Sequence, residues 1–211
     1  NMFITLREVA KQAENIDSNL AGEVAEVMAK GALFEARGNS GVILCQFFEG
    51  IAKGLNGLRT FSSSEFASAL RYASDHAYAA VSEPVEGTML TVINNVANAA
   101  QESEDSGAGM VELFDSTWHT AVETVSMTPT MLPILKEAGV VDAGGQGIAI
   151  IFQALNMYIN RGNISSRDIQ VTGPDDASIE GGMVSTDFLK STDDKTYGYC
   201  TQFLLNGQDL D

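Results

Sequence analysis

Basic side chains are scarce in this 211-residue chain: 12 Lys and Arg stand against 28 Asp and Glu, a formal net charge of −16. Affinity for a nucleic-acid backbone comes mostly from Lys and Arg neutralising phosphates, so this balance argues against a nucleic-acid partner. It leaves room for a local phosphate site, because net charge says little about one loop. Cysteine is equally scarce. Cys45 and Cys200 are far apart and form no CxxC pair or disulfide framework, which fits a reducing, cytoplasmic setting. No window approaches the ~18 uninterrupted apolar residues of a membrane span, and the N-terminus lacks the basic-then-apolar pattern of a signal peptide. The two histidines, His76 and His119, have no Cys or carboxylate at the spacing of a metal set. G-x-S-x-G, H-E-x-x-H and a strand followed by G-x-G-x-x-G are also lacking. The chain opens on Asn1 rather than methionine, which reads as a fragment truncated at its N-terminus.

What is present is a globular composition, 45% hydrophobic and 19% charged. Residues 1–163 read as nearly continuous helix, with apolar residues recurring at three and four. Phe3, Leu6, Val9 and Ala10 mark a first segment; Leu20, Val24, Val27, Met28 and Leu33 a second. The third runs from Ser40 to about Gly54 and carries Val42, Ile43, Leu44, Phe47, Phe48 and Ile51. The fourth opens at Ser62, with Glu65 at capping-box spacing, and carries Phe66, Leu70, Tyr72, Ala73 and Ala77. A fifth starts near Thr88 and runs to about Glu102. A sixth spans about Met110 to Val125 and is broken by Thr128-Pro129. A short seventh follows to Ala138, with Gly139 as its C-cap. The last begins after the glycines at 144, 145 and 147 and ends at Arg161-Gly162-Asn163. Seven or eight helices on short loops make an all-α bundle or helical barrel. Residues 164–196, rich in Ser, Asp, Gly and Thr, read as a linker or extended arm. Tyr197 to Leu205 reads as a strand with no partner in a helical domain, so 197–211 is taken as the first strand of a further, truncated domain.

Three places join glycines and small polar residues to a helix start. Gly38-Asn39-Ser40-Gly41, preceded by Arg37, offers close backbone approach, free N–H groups and a positive dipole end: the chemistry of a phosphate cradle without the P-loop lysine. Thr88-Met89 follows Pro84-Val85-Glu86-Gly87. There Thr88 caps a helix or meets a ligand, and Met89 packs in the core or lines a pocket for a flat ring. Asp142-Ala143-Gly144 opens the last helix, with Asp142 either a cap or a partner for a ribose hydroxyl or a metal-bound water. On spacing alone, ordinary turns with N-caps are the commoner cause of the first two patterns and an even match for the third. No catalytic residue is identified, and no nucleophile–acid pair for hydrolysis is found.

In this order and on helices, the three places together resemble the dihydroxyacetone-kinase L-type (DhaL-like) nucleotide-binding domain. The run Ala36-Arg37-Gly38-Asn39-Ser40-Gly41-Val42-Ile43-Leu44, Pro84 to Leu90, and Leu135 to Gly147 are most similar to the version at the N-terminus of the bacterial fatty acid kinase A subunit. The resemblance covers residues 1 to about 160, and Tyr197-Gly198-Tyr199-Cys200-Thr201 is similar to the start of that kinase's middle domain. It implies an antiparallel barrel of about eight helices binding ATP or ADP at one end. It also implies two magnesium ions held by aspartates of a motif ending in Gly-Thr-Asn-Met. Asn1-Met2 look like the end of that motif, which puts the metal ligands upstream of Asn1 and none in this chain. By the same resemblance, Asn1 and Gly38, Asn39, Ser40 and Gly41 lie on the phosphates. Thr88 and Met89 face the nucleoside, and Asp142, Ala143 and Gly144 close over the nucleotide, with Ala in place of the sugar-kinase proline. The family's arginine before that loop has no counterpart at Thr128-Pro129. The implied activity is phosphorylation of a fatty acyl carboxylate held by a DegV-like lipid-binding protein, with this fragment inactive alone. The alternatives are the ATP-binding subunit of a dihydroxyacetone-type (glycerone) kinase and a non-catalytic interaction module on the same barrel. A homodimer through exposed apolar barrel surface stays open.

Overall fold

The computed structural model describes residues 1–162. They form eight helices: α1 (Met2–Asn15), α2 (Ala21–Glu35), α3 (Gly38–Gly54), α4 (Ser63–Ala79), α5 (Met89–Asp105), α6 (Met110–Met131), α7 (Pro133–Ala138) and α8 (Ala143–Arg161). No strand occurs among the described residues. Asn163, the arm expected over 164–196 and the strand expected in 197–211 lie outside them.

Short connections make successive helices antiparallel neighbours. From α1 to α6 each helix packs on the next, and beyond the short α7 the chain returns as α8 against α6 and α5. The layer curls into an all-α barrel, bringing the Met2 side chain to within 2.7 Å of where a Cβ on Gly147 would stand. The closest pair is α3 and α4. A Cβ on Gly50 or Gly54 would collide with Ala73 or Ala69, so these glycines set the spacing of the two helices. The interior is apolar. Phe47 meets Phe48 and Phe152 edge-on at 5.5 and 6.5 Å between ring centres. A cavity of about 690 Å³ lies among Leu6, Val9, Phe47, Phe48, Phe152 and Leu155.

Alternation along the barrel gathers the starts of α1, α3, α5 and α8 at one end. The opposite end is tied by backbone: Ala21 and Gly22 N–H donate to the Arg59 and Leu58 carbonyls at 3.1 and 3.0 Å. There α4 begins with the capping box, Ser62 accepting from Glu65 N–H while Glu65 Oε2 accepts from Ser62 N–H at 2.6 Å.

Several sequence expectations need correction. Pro129 does not break α6 but lies inside it, three residues from the last turn's C-cap at Leu132. The N–H that proline lacks would have met the Val125 carbonyl, and the Thr128 hydroxyl donates there instead at 2.7 Å. The short helix accordingly starts at Pro133, in the first turn where proline is tolerated. Gly144, Gly145 and Gly147 lie within α8 rather than before it, and Gly38 and Asn39 already belong to α3. Phe3, Leu33, Val42 and Tyr72 continue the apolar stripes yet stand exposed. Arg7 covers the Phe3 ring at 5.7 Å and Lys53 the Tyr72 ring at 5.3 Å, which supplies cation–π cover in place of core packing.

Candidate functional site

At the end where four helix starts converge lies a cleft of about 250 Å³. Asn39 and Ser40 of α3, Thr88 and Met89 at the head of α5, and Asp142 and Gly144 at the head of α8 all line it. These residues are separated by up to 105 positions in sequence, from Asn39 to Gly144, and the barrel's alternation is what joins them. Ile43, Val81, Val85 and Leu90 supply an apolar wall, and Glu83 adds a carboxylate. Those five were not singled out as site residues from sequence. Ile43, Val85 and Leu90 sit inside or beside the glycine motifs, one turn or less away, and that proximity was the available signal. Val81 and Glu83 follow the end of α4 and carry no local signal at all.

The remaining sequence candidates stand behind or beside the cleft. Gly38 has φ of 62°, and a Cβ there would lie 2.5 Å from Asn1 Nδ2, so Asn1 and Gly38 are brought together as neighbours. Gly41 is buried against Ala36 and Thr5, and Ala143 is exposed on the outer side of α8. Arg37 does not line the cleft; its guanidinium pairs with Glu35 at 3.2 Å in solvent.

The helix starts differ in what their amides do. In α8, Asp142 Oδ2 accepts from Gly145 N–H at 2.6 Å. Burial raises the pKa of this carboxyl, while hydrogen bonds from the Gly145, Met89 and Gly144 backbone partly offset that rise. One carboxylate thus serves the heads of both α8 and α5, and the cap alternative accounts for its bonds. In α5, Thr88 Oγ1 accepts from Leu90 N–H at 3.4 Å and donates to the Val85 carbonyl at 2.7 Å. The heads of α1 and α3 are different: neither N-cap, Asn1 or Arg37, gives a side-chain cap, and of the two helices only α3 lines the cleft. Among the described residues the side chains of Asn39 and Ser40 make no hydrogen bond. The α3 amides and these two polar side chains are therefore the donors left open to a ligand, and a helix N-terminus in that state favours an anion.

The loop before α5 is held from behind. Tyr78 Oη donates to Glu86 Oε1 at 3.0 Å. Burial and this carboxylate push the tyrosine up to about 12, so it remains a donor at all ordinary pH. Among the described residues no Lys or Arg lines the cleft, and no three His, Cys, Asp or Glu side chains cluster to hold a metal ion.

The family described as DAK2 domain matches residues 1–157. Over 205 residues, 97% of the chain, the sequence is 36% identical to an uncharacterized protein of Staphylococcus saprophyticus and 33% identical to Protein YloV of Bacillus subtilis. It is 34% identical to an uncharacterized protein of Staphylococcus epidermidis over 209 residues. In all three the match covers 37% of the relative, so the chain spans little more than a third of their length. Among the described residues no helix is long and apolar enough to cross a membrane. By sequence and by its eight helices, the chain belongs to the DAK2-domain family, a kinase-associated family of nucleotide-binding domains.

Proposed function

We propose that this barrel is the ATP-binding domain of a kinase that phosphorylates a fatty acyl carboxylate presented by a DegV-like lipid-binding partner. The observation that carries the nucleotide part is the uncapped head of α3, with Asn39 and Ser40 open to the same cleft as the apolar wall of Ile43, Met89 and Leu90. Phosphate oxygens would accept from the α3 amides, Asn39 and Ser40. The apolar wall and Met89 would take the base, as a flexible thioether suits a flat ring. The Asp142 turn, whose amides are already engaged, would act as a wall rather than as a phosphate ligand.

In the transfer itself, a carboxylate oxygen would bond to the γ-phosphorus as the bond to the β–γ bridging oxygen breaks. The products are an acyl phosphate and ADP. Such a reaction is catalysed mostly by positioning and charge neutralisation. This chain's described residues supply positioning and neutral donors. Among the described residues the cleft has no cationic side chain, and ligands for magnesium would come from elsewhere in the full-length protein.

The acyl acceptor is preferred over a sugar because the relatives run far beyond a single barrel and the match continues past residue 162. A glycerone-type kinase subunit is the second reading. The test uses the full-length protein, ATP, magnesium and a fatty-acid-loaded DegV-like protein, with hydroxylamine to trap acyl phosphate as hydroxamate. Hydroxamate that depends on all components is the expected result. Phosphorylation of dihydroxyacetone instead would move the assignment to the sugar kinase. Failure of folded full-length protein to bind Mg-ADP by calorimetry would leave a non-catalytic module.

A further inference from the structure

Each of the three loops that meet at the cleft is fastened by the hydroxyl of a buried threonine on a helix. Thr5 of α1 is fully buried, and its Oγ1 donates to the Glu35 carbonyl at 3.1 Å and lies 3.3 Å from the Asn1 carbonyl. That fixes the end of α2 and the short link into Gly38. Thr91 of α5 accepts from Gly87 N–H at 2.8 Å and donates to Glu86 Oε2 at 2.6 Å, which fixes the loop ahead of Thr88. Thr128 of α6 accepts from Asp142 N–H at 3.0 Å while donating to the Val125 carbonyl, which fixes the turn ahead of α8.

Two further observations make this a set. The end of α6 braces a second loop as well, since a Cβ on Gly87 would lie 2.9 Å from Met131 Cβ and 3.0 Å from Leu132 Cβ. The other two fully buried α6 threonines hold no loop: Thr117 donates to the Leu113 and Phe114 carbonyls of its own helix, and Thr124 accepts from the Asn95 side chain of α5 at 3.1 Å. A hydroxyl that bonds its own helix does little that valine would not do in the same volume. A hydroxyl that satisfies a loop amide, as in Thr91 and Thr128, or the carbonyl at another helix's end, as in Thr5, cannot be replaced by valine without losing that group's partner in the interior.

We infer that Thr5, Thr91 and Thr128 are positioning residues of the cleft, each holding one ligand-facing loop through a single hydroxyl. None of the three lines the cleft itself. Their action is on the loops' rigidity and so on the order already present before a ligand arrives. The ligand part of the inference rests on the nucleotide reading above; the structural part does not.

The test has two arms, both on the full-length protein. In the first, amide hydrogen exchange is followed at Gly87 and Asp142. In the wild type both amides are expected to be protected although they lie in loops; exchange at the intrinsic rate would overturn the inference without any variant. Thr91→Val is expected to speed exchange at Gly87 at least tenfold, and Thr128→Val at Asp142, each without the other. Thr91→Ser and Thr128→Ser are expected to keep the protection, and Thr117→Val to leave both amides unchanged. If a valine variant does not fold, its serine partner and the wild-type rates still decide the matter. In the second arm, calorimetry with Mg-ADP is expected to show affinity three- to tenfold weaker for Thr5→Val, Thr91→Val and Thr128→Val, restored within twofold by serine. Valine variants with wild-type exchange and wild-type affinity would overturn the inference. A wild type that binds no Mg-ADP overturns the nucleotide reading instead, and the exchange arm then stands by itself.

Discussion

At Gly38 a left-handed backbone and a close neighbour coincide: φ is 62° and a Cβ would lie 2.5 Å from Asn1 Nδ2. Gly38→Ala therefore meets both strain and collision, and urea unfolding is expected to show a loss of about 1–2 kcal/mol. Stability equal to wild type would mean that the link into α3 relaxes freely and does not fix the cleft. Asp142 poses a different question, because burial holds its carboxyl above the ordinary value of 3.8. The folded state then keeps this proton to higher pH than the unfolded chain does. The group's contribution is most favourable below the unfolded pKa and declines as pH rises through the raised folded pKa. Asn is as good an N-cap and carries no charge. Asp142→Asn should accordingly gain on the wild type between pH 4 and pH 7 in paired urea titrations. A gain that is the same at both pH values would show that the carboxylate's capping bonds compensate its burial. Legibility ended at this scale. The sequence displayed Asn39, Ser40, Thr88, Met89 and Asp142 as residues of a suitable kind. It left Asp142 open between cap and ligand, a choice that depends on the Met89 amide, 53 positions away in the chain.

Elements were read more securely where their signals are local. Ser62 and Glu65 announce a capping box, and α4 begins there. Ser62→Ala is expected to cost about 1 kcal/mol, or ~2–4 °C in the melting midpoint. Because it lies at the end opposite the cleft, Mg-ADP affinity should stay within twofold; a parallel loss of affinity would mean that the two ends are coupled through α4. The misread elements have a common physical cause. By intrinsic preference proline and glycine read as breaks, but each sits where tertiary structure removes the penalty. The Thr128 hydroxyl takes up the carbonyl that Pro129 frees. Gly145 is buried against Val92 and Val125, where a larger residue would not fit, so helix α8 accepts a residue of poor intrinsic propensity. Gly50 and Gly54 do the same for the contact between α3 and α4. Gly50→Val is expected to cost more than Gly38→Ala, because backbone of the neighbouring helix rather than one flexible side chain must move.

Charge is a property of the whole molecule here, and it bears on how an anionic ligand enters. Net charge is −16, and the ion pairs Lys11–Glu8, Lys30–Glu26 and Arg37–Glu35 are exposed or partly exposed surface pairs that contribute little against that excess. The cleft repeats the imbalance locally: among the described residues Glu83 and Asp142 line it and no Lys or Arg does. A nucleoside diphosphate entering bare would meet the positive ends of helix dipoles, each equivalent to about half a charge, against repulsion from Glu83, Asp142 and the chain's net charge. Affinity must therefore depend on a cation that travels with the nucleotide or is already held by the full-length protein. Calorimetry of ADP with excess EDTA is expected to give binding at least a hundredfold weaker than Mg-ADP. Raising the monovalent salt from 20 to 200 mM should recover part of that difference by screening over distances of about 10 Å. Equal affinity with and without magnesium would contradict the argument from charge. It would put the whole burden of neutralisation on the α3 amides, which Asn39→Ala and Ser40→Ala leave in place, so those variants would then weaken binding only modestly.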